Sequence, residues 1–539
     1  MKTFRIVFFS FLIFQIAAGQ TWQDTLSMID KAMKDYAPEG PGCQVSVSRN
    51  GQLIFSKAWG MADLERRTPL TTNSILEAGS VSKQFTAAAI LLLEQQGKLS
   101  LDDDVRKYIP ELKDYGTPIL LRQMLHHTSG LRDWGSVAEM TGWPRSTKFY
   151  TNEDALEIIV RQKHLNNKPG DEFLYSNSNY NLFAIIVQRV SGLTLAAFTR
   201  KYIFEPAGLT HTQWRDDPNR IVVNRAIAYD KTDSNFETDM PNEYVYGNGG
   251  LLTTTEDLLK WTNYFLQGRL GNPSLLPKQI HTDPLNNGTM NNYAAGLFIS
   301  RVAGWASINH NGATAAYRSS LETLPELKLS IAVLSNNSSV NINETENRVR
   351  KIFVPDKKSA IAKKEDTIKL SEKDLTALSG MYRNERDGST FTLDVKNNQI
   401  LVQSELPMKA LSKNILVCDY FILIVNGENG LYIPKSPVDT IPITKVKQIL
   451  PTSAEMSDYE GKYFSEETNS ELTIKKRGER LIIQLNPDRS YPMIPTYADA
   501  FRIAELYIDL KFIRNSGNKI VVMKMSQGRA RGLEFNKLQ

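Results

Sequence analysis

The stretch AGSVSKQFTAAAILLLEQQG, residues 78–97, joins a polar start to an apolar helix. The apolar run from Ala87 to Leu93 predicts a buried helix, and Gly97 is a typical residue for its end. Ser80 and Lys83 stand at its beginning, three residues apart and therefore on one face. A lysine at the start of a buried helix needs a partner or a chemical task.

Two interpretations fit this pair of residues. If Ser80 opens the helix, its backbone N–H points outward at the positive end of the dipole, which suits a developing oxyanion. Burial would then lower the pKa of Lys83, so that the amine can hold or relay the serine proton. In the structural interpretation, Ser80 caps the helix and Lys83 extends its amine to water. The tetrapeptide alone fits both.

A second motif, Tyr175-Ser176-Asn177, lies within PGDEFLYSNSNYNLF, residues 169–183. A tyrosine on a polar turn before a helix can present its hydroxyl to a cleft. Near a cation, the phenol is expected to lose its proton more readily and to act as a general base. Asn177 offers both a donor and an acceptor. The same spacing recurs at Tyr246 and Tyr382, so the motif is not specific by itself.

A third motif, His310-Asn311-Gly312-Ala313, precedes alternating residues and reads as the entry to a strand. Gly312 would let the backbone come close to a ligand, and the N–H of Ala313 would then face a cleft. The same residues also fit a surface hairpin that carries a solvated histidine.

The three motifs follow one another as they do in a known family: Ser80-x-x-Lys83, Tyr175-x-Asn177 and His310-x-Gly312. Together they resemble the penicillin-recognising serine hydrolases, and most of all the class C β-lactamase-like branch with its D,D-peptidases, D-aminopeptidases and esterases. The flanking segments agree: SVSKQFTAAAI, MLHHTSGL at 124–131, and NGGLLTTTEDLLKW at 248–261. The resemblance covers roughly residues 21–354.

The resemblance implies an α+β fold, in which an antiparallel sheet flanked by helices lies beside a helical lobe and the site lies between them. It also implies catalytic roles. Ser80 is the expected nucleophile, Lys83 and Tyr175 share its proton, and Tyr175 later activates the deacylating water. The N–H groups of Ser80 and Ala313 are the expected oxyanion hole. Neither a metal nor a cofactor is expected.

The substrate-binding residues implied by the resemblance are Asn177, His310, Gly312 and Ala313. Many relatives have lysine where this chain has His310. Lysine supplies a fixed positive charge for the carboxylate of a β-lactam or a peptide C-terminus, whereas histidine is mostly neutral at pH 7. This difference argues against efficient β-lactam hydrolysis. Relatives with histidine here include D-aminopeptidases, other peptidases and esterases.

The chain is expected to contain three globular parts. A β-lactamase-like domain spans 20–354, a lysine-rich linker 355–369, and two small antiparallel β-barrel-like domains 370–451 and 452–539. Three segments recur 81 residues apart, which indicates a duplication: 380–382 and 461–463, 391–393 and 472–474, and 400–403 and 481–484. The arrangement resembles that of D-aminopeptidases, and such a domain can reach over the cleft to restrict the substrate.

The N-terminus predicts an export signal over residues 1–19. Lys2 and Arg5 precede an apolar core at 6–16 and a small-residue cleavage site at 17–19. Removing these two cations lowers the net charge from +5 to +3, and there is no basic stripe with aromatics, so nucleic-acid binding is not expected. No other segment is apolar enough to span a membrane. The expected location is the periplasm or the exterior.

Three functional hypotheses follow. The first is an exported serine hydrolase that forms an acyl-enzyme on Ser80 and cleaves peptides, some with D-residues, or other amides and esters. The second is a β-lactamase or D,D-carboxypeptidase proper. The third is a non-catalytic ligand-binding or sensor protein, against which the intact set of Ser80, Lys83 and Tyr175 argues. The expected partner is a small-molecule or peptide substrate, and the sequence carries no prediction of the oligomeric state.

Overall fold

A computed structural model describes residues 22–145, 148–354, 367–418, 420–434 and 440–538. The first part of the chain is built on one antiparallel sheet of six strands. In sheet order these strands are Phe298–Val302, Trp305–Thr314, Tyr317–Leu324, Leu329–Ser335, Cys43–Arg49 and Gln52–Trp59. Asn50 and Gly51, both at positive φ, make the tight hairpin between the last two.

The central strands of this sheet are buried on both faces. Leu329–Ser335 is mostly apolar, whereas Cys43–Arg49 alternates apolar residues with the buried polar side chains of Gln44, Ser46 and Ser48. Side chains alternate between the faces along each strand. On Leu329–Ser335, Ile331 and Val333 pack with the helices Trp22–Ala32 and Ile342–Phe353. Ala332 and Leu334 belong to the opposite core, to which the helix Thr255–Leu266 also contributes.

A helical lobe lies beside the sheet, and its central element is the helix Lys83–Gln95. Every residue of this helix from Lys83 to Leu93 is buried, as expected for a helix that is apolar on all sides. Gly97, at φ +69°, follows its end. The other helices of this part are Leu121–Leu125, Trp134–Met140, Asn152–Arg161, Asn177–Ser191, Leu195–Thr199, Glu205–Ala207 and Leu275–Gln279.

Short strands connect the lobe to the sheet. They form small two- and three-stranded pairings rather than extensions of the main sheet. Their bounds are Met61–Asp63, Thr68–Pro69, Leu76–Glu77, Gln213–Trp214, Tyr229–Lys231, Phe236–Thr238 and Leu251–Thr253.

The first C-terminal sheet has nine strands and follows the helix Glu372–Leu378. Its two edge strands are separated in the chain by Met408 alone, so the sheet curls into a barrel-like shape. In sheet order the strands are Leu406–Pro407, Gln399–Val402, Thr390–Lys396, Gly380–Asn384, Ile441–Val446, Asn429–Pro434, Phe421–Asn426, Ile415–Val417 and Lys409–Ala410.

The second C-terminal sheet is a closed eight-stranded barrel that follows the helix Ser453–Tyr459. Closure leaves it without exposed strand edges. Its strands are Gly461–Ser465, Ser470–Arg477, Arg480–Asn486, Arg489–Pro495, Ala500–Ile503, Ile508–Arg514, Ile520–Gln527 and Ala530–Lys537. The α+β fold with two barrel-like C-terminal sheets is therefore confirmed.

The two C-terminal sheets begin in the same way, at positions 81 residues apart. Each leading helix has a capping box, made by Ser371 with Asp374 in the first and by Thr452 with Glu455 in the second. The buried hydroxyl of Tyr382 donates to the Leu378 carbonyl at 2.8 Å, and that of Tyr463 donates to the Tyr459 carbonyl at 2.8 Å. These pairs of contacts match the repeat in the sequence.

The closed barrel is attached to the helical lobe through buried side chains. Val137 and Met140, on the helix Trp134–Met140, belong to the apolar core of the barrel. Beside them, the Arg132 guanidinium meets the Glu467 carboxylate at 2.6 Å, and each side chain is only 2% exposed. Glu467 also accepts a 2.7 Å hydrogen bond from the backbone N–H of Lys163.

Cys43 and Cys418 are both buried and unpaired. The predicted signal at 1–19 and positions 355–366 of the predicted linker lie outside the described residues. Within the described ranges, no single helix is long and apolar enough to cross a membrane; the bent pair Asn177–Ser191 and Leu195–Ala207 meets the length and composition requirement only when taken together.

The buried ion pair predicts a large difference between two adjacent glutamates. Glu467→Gln leaves the Arg132 charge buried without a counter-charge, so the free energy of unfolding should fall by about 3 kcal/mol or more. Glu466, 67% exposed and paired with Lys163, is the matched control, and Glu466→Gln should cost about 1 kcal/mol or less. Urea denaturation followed by tryptophan fluorescence measures both, and equal effects would contradict the assignment.

Candidate active site

Ser80 lies in a single 3₁₀ turn, Gly79–Ser82, that leads directly into the helix Lys83–Gln95. Its side chain caps neither element. Lys83 is fully buried and does not reach solvent. Both halves of the structural interpretation of this pair are therefore wrong, and the serine hydroxyl is directed instead to the lysine amine.

The Lys83 amine lies among three oxygen atoms. Its Nζ is 3.1 Å from Ser80 Oγ, 2.9 Å from Asn177 Oδ1 and 2.6 Å from the backbone carbonyl oxygen of Asn248. Burial holds the pKa of Lys83 well below its usual range, and the nearby charges of Arg529 and Arg145 lower it further.

These partners define what the amine can do once it is neutral. The carbonyl oxygens of Asn177 and Asn248 can only accept hydrogen bonds, so they retain the two N–H bonds of a neutral amine. The lone pair is then left for the hydroxyl of Ser80. Lys83 is thus positioned to accept the serine proton.

Tyr175 lies between cations and beside a histidine. Its ring centroid is 4.8 Å from Lys83 Nζ and 4.9 Å from Arg529 Cζ. Burial raises the pKa of Tyr175 well above its usual range, and it outweighs the lowering by Ser80 and by the charge of Arg529. The expected effect of a cation is therefore present but does not decide the protonation state. The buried Oη forms no hydrogen bond of good geometry among the described residues, although the Ser80 side chain lies near enough to affect its pKa. Tyr175 is a neutral phenol with unused hydrogen-bonding capacity.

His127 supports the ring of Tyr175, at a centroid distance of 4.1 Å. Its Nδ1 accepts hydrogen bonds from the Ser176 backbone N–H at 3.1 Å and the Asn179 side-chain amide at 3.2 Å. These contacts place the ring proton on Nε2. Burial and the charge of Lys83 keep the pKa of His127 well below its usual range, so the ring is a neutral structural support.

Asn177 is held at the first turn of the helix Asn177–Ser191 by Asp133. The Asp133 carboxylate accepts the backbone N–H of Asn177 at 2.6 Å and also caps the helix Trp134–Met140 by accepting the Ser136 N–H at 3.0 Å. One carboxylate thus orients two helices and the amide that contacts Lys83. The sequence alone did not single out Asp133.

The strand Trp305–Thr314 closely approaches the turn that carries Ser80, and glycines permit this. A Cβ at Gly312 would lie 2.2 Å from the Ala78 carbonyl oxygen and 2.8 Å from the Ser80 nitrogen. A Cβ at Gly79, which has φ +48°, would lie 2.7 Å from the Ala313 nitrogen. The backbone nitrogens of Ser80 and Ala313 therefore belong to segments in direct contact, as a shared oxyanion hole requires.

His310 is a neutral residue in the wall of the site. Its Nδ1 donates to the Asn311 carbonyl at 2.6 Å, so its Nε2 accepts from the Tyr293 hydroxyl at 3.0 Å. Burial and the charge of Lys83 lower the pKa of His310 to about 3. Both ring nitrogens are engaged within the protein, and the ring supplies no positive charge to a substrate.

A cleft of about 520 Å³ opens over Ser80. The predicted residues that line it are Ser80, Tyr175, Asn177, His310 and Ala313. Lys83 and Gly312 lie behind this wall, and they act on the cleft through the contacts given above. Among the described residues, no group of His, Cys, Asp or Glu is arranged to hold a metal ion.

The cleft also contains residues that sequence reasoning missed. Asn248 was noted only as part of the flanking segment 248–261, yet its backbone carbonyl accepts a hydrogen bond from Lys83. Every residue has a backbone carbonyl, so this role cannot be recognised from the residue type. Arg145 and Arg529 line the cleft as well. Arg529 lies in the closed barrel, and nothing in the local sequence distinguishes it from other surface arginines.

Comparison with known proteins agrees with this geometry. The Beta-lactamase family model matches residues 27–352. The chain therefore belongs to the Beta-lactamase family, a family of serine hydrolases. It is 30% identical over 320 residues to the D-aminopeptidase of Cereibacter sphaeroides (strain ATCC 17029), a match that covers 58% of this chain and 60% of that protein.

Solved structures share the fold. The octameric penicillin-binding protein homologue from Pyrococcus abyssi matches with a TM-score of 0.55 at 22% identity, over 78% of this chain and 99% of that chain. The D-amino acid amidase from Ochrobactrum anthropi SV3 matches with a TM-score of 0.52 at 20% identity, over 61% of this chain and 98% of that chain. At these identities the likeness concerns the fold alone.

The close approach at Gly312 predicts a specific loss of acylation. In Gly312→Ala, the added methyl group forces the Ser80 and Ala313 nitrogens apart, so the rate of Ser80 acylation should fall by about 10²-fold or more. Gly249 also lines the cleft, but a Cβ there would meet nothing closer than 3.6 Å. Gly249→Ala should stay within about threefold of the parent. Stopped-flow acylation by an activated ester measures both, and a parental rate in Gly312→Ala would contradict the prediction.

The lowered pKa of Lys83 predicts the pH dependence of acylation. Only the neutral amine accepts the serine proton, so the acylation rate should rise with pH and then level off. The midpoint of this rise should lie well below 10.5, the ordinary pKa of lysine. His310, with a pKa of about 3, should add no inflection near neutral pH. Lys83→Arg, whose guanidinium does not deprotonate, should lose both the rate and the inflection. A midpoint near 10.5 in the parent would refute this role.

Proposed function

We propose that the protein is an exported serine hydrolase that forms an acyl-enzyme on Ser80 and acts on peptide, amide or ester substrates. The observation that carries the proposal is the 3.1 Å contact between Ser80 Oγ and Lys83 Nζ. This lysine is fully buried, its pKa is lowered, and its other two partners are carbonyl oxygens.

The geometry supports a two-stage reaction. Ser80 Oγ attacks the substrate carbonyl carbon while its proton passes to the neutral amine of Lys83. The negative charge on the carbonyl oxygen is stabilised by the N–H groups of Ser80 and Ala313, each worth about 3 kcal/mol in comparable sites. Tyr175 then protonates the leaving group and becomes a phenolate, while Lys83 holds the proton taken from Ser80. Water attacks the acyl-enzyme and gives its proton to this phenolate, and Lys83 returns its proton to Ser80 Oγ.

Tyr175 is proposed to act within this proton relay. Among the described residues its Oη forms no hydrogen bond of good geometry, and because its pKa is raised it first donates its proton to the leaving group and only then acts as a base. It can accept the proton of the deacylating water once Lys83 is protonated and stabilises the phenolate. In this relay, Lys83 is the base that takes the Ser80 proton during acylation.

Peptides with D-residues are the proposed substrates, on the strength of the similarity to a D-aminopeptidase. That similarity spans 60% of the relative's length, and two β domains follow the matched region here. The neutral His310 distinguishes this site from relatives in which a lysine at this position supplies a positive charge for a carboxylate. Slow or absent hydrolysis of a chromogenic cephalosporin would agree with this distinction.

Export is part of the same proposal. Its support is the sequence of residues 1–19, with two cations, an apolar core and a small-residue cleavage site. A non-catalytic binding protein is the competing function. A binder has no need of a buried amine with a lowered pKa against a serine hydroxyl, so the geometry favours the hydrolase.

Covalent labelling tests the proposed function. A fluorophosphonate should add once to the parent protein, as seen by intact mass, because Lys83 activates Ser80; Ser80→Ala should give no adduct. Ser82→Ala is the matched control, since the Ser82 hydroxyl only accepts the Leu251 N–H at 3.1 Å, and this variant should still be labelled. A folded parent that takes no label would favour the binding protein.

A further inference from the structure

One arginine in the active-site cleft comes from the closed C-terminal barrel. Arg529 lies at the tip of the hairpin between the strands Ile520–Gln527 and Ala530–Lys537. It lines the same cleft as Ser80, and its Cζ lies 4.9 Å from the ring centroid of Tyr175. The barrel thus contributes a cation to the surface that a substrate must contact.

The hairpin is held in place through its backbone. The Arg529 carbonyl accepts hydrogen bonds from the Asp133 N–H at 3.0 Å and from Asn166 Nδ2 at 2.9 Å. Two residues further on, the Arg531 guanidinium pairs with Glu172 at 3.0 Å. Asp133 also orients Asn177, so one residue positions both the hairpin and the amide that contacts Lys83.

The Arg529 side chain is left free for a ligand. Among the described residues its guanidinium forms no ion pair and donates no hydrogen bond, and the residue is exposed. Stacking on Tyr175 occupies one face of the guanidinium at most, and its N–H donors lie in the plane of the group. They can therefore reach a carboxylate while the ring contact persists.

The charges in the cleft leave this cation unbalanced. Of the described residues that line it, the charged side chains are Arg145 and Arg529, and none is a carboxylate. Arg529 also lines an adjoining cavity that contains carboxylates, none of which forms an ion pair with it: Asp133, Glu139, Asp239 and Glu243. Arg145 is already matched by an ion pair with Glu243. Burial favours the neutral forms of Lys83 and His310. Arg529 is the fixed, unpaired positive charge beside the reacting serine.

We propose that Arg529 is a substrate-binding residue that selects substrates carrying a carboxylate. This inference rests on the proposed function, since it assumes that the cleft over Ser80 binds the molecule to be hydrolysed. The preferred substrates are peptides or esters that place a carboxylate within reach of the guanidinium. A free ammonium group at the same position is repelled, so the site disfavours substrates whose only charge there is an amino terminus.

The competing explanation is that Arg529 only attaches the barrel by stacking on Tyr175. It also lowers the pKa of Lys83 through its charge, so its removal affects every substrate. Both effects are independent of substrate charge. Both effects cancel in the ratio of kcat/KM between a carboxylate substrate and its matched carboxamide. A change in this ratio therefore reports recognition of the carboxylate alone.

The test uses the full mature chain and two series of nitrophenyl esters. In one series the acyl chain ends in a carboxylate, a carboxamide or an ammonium group, and in the other the leaving phenol carries these groups. In the parent, kcat/KM for the carboxylate should exceed that for the carboxamide by about tenfold or more in at least one series, as expected for a charge-assisted hydrogen bond. The difference should lie mainly in KM.

Three variants complete the test. Arg529→Gln should abolish the preference, and Arg529→Glu should reverse it in favour of the ammonium substrate. The backbone contacts of the hairpin are available to either substitute. Arg480→Gln is the matched control, because Arg480 is an exposed arginine beside another hairpin of the same barrel, and it should keep the parental ratio.

Each outcome is decisive. Turnover of the carboxamide ester without any carboxylate preference, or a ratio unchanged in Arg529→Gln, would overturn this inference and leave the serine hydrolase intact. Absence of turnover and of Ser80 labelling in the parent would overturn the proposed function and this inference with it. Loss of all activity in Arg529→Gln, with full activity retained in Arg480→Gln, would assign Arg529 to attachment of the barrel and overturn its role in selection.

Discussion

The burial of one amine is the constraint on which the rest of this structure depends. Lys83 is enclosed at the start of a core helix, where an ammonium without partners would cost several kcal/mol. The oxygen atoms that compensate come from Ser80, Asn177 and Asn248, which lie in three separate segments of the chain. The turn that carries Ser80, the helix Asn177–Ser191 and the loop before Leu251–Thr253 must therefore come together correctly before the lysine can be buried. The contacts that make burial of Lys83 tolerable are therefore the same contacts that arrange the active site.

The closed barrel extends this constraint beyond the catalytic part of the chain. The helix Trp134–Met140 is capped by Asp133 on the side of the site and gives Val137 and Met140 to the barrel core. The same Asp133 contacts both Asn177 and the hairpin of Arg529. A short helix thus links the two cores, and the position of the barrel is defined by the residues that define the site. This is why a side chain from the barrel can have a fixed place in the cleft.

The sequence predicted the parts of the molecule that depend on local periodicity and on motif order. The helix from Lys83, the three motifs and the repeated β segments were all readable because each leaves a pattern of side chains. The role of the Asn248 carbonyl was not, since any residue has a carbonyl. The raised pKa of Tyr175 was not predicted, because a nearby cation was foreseeable from the motifs and the depth of burial was not. Arg529 was missed because it reaches the cleft only where the barrel packs on the helical lobe. The residues in contact there are far apart in the sequence: Arg132 and Gly532, which form a hydrogen bond, are separated by 400 positions.

That separation has a consequence for the order of events during folding. We expect contacts between residues so distant in sequence to form late, because the entropy of closing a long loop must be lost before the contacts can stabilise the chain. Ser80, Lys83 and Asn177 all belong to the first part of the chain and can come together without the barrel. Arg529 joins the cleft only when the closed barrel docks. An early folded chain therefore presents a wider and less positively charged opening than the finished protein. If Arg529 selects substrates as proposed, we expect selectivity to be acquired after reactivity, when the barrel docks.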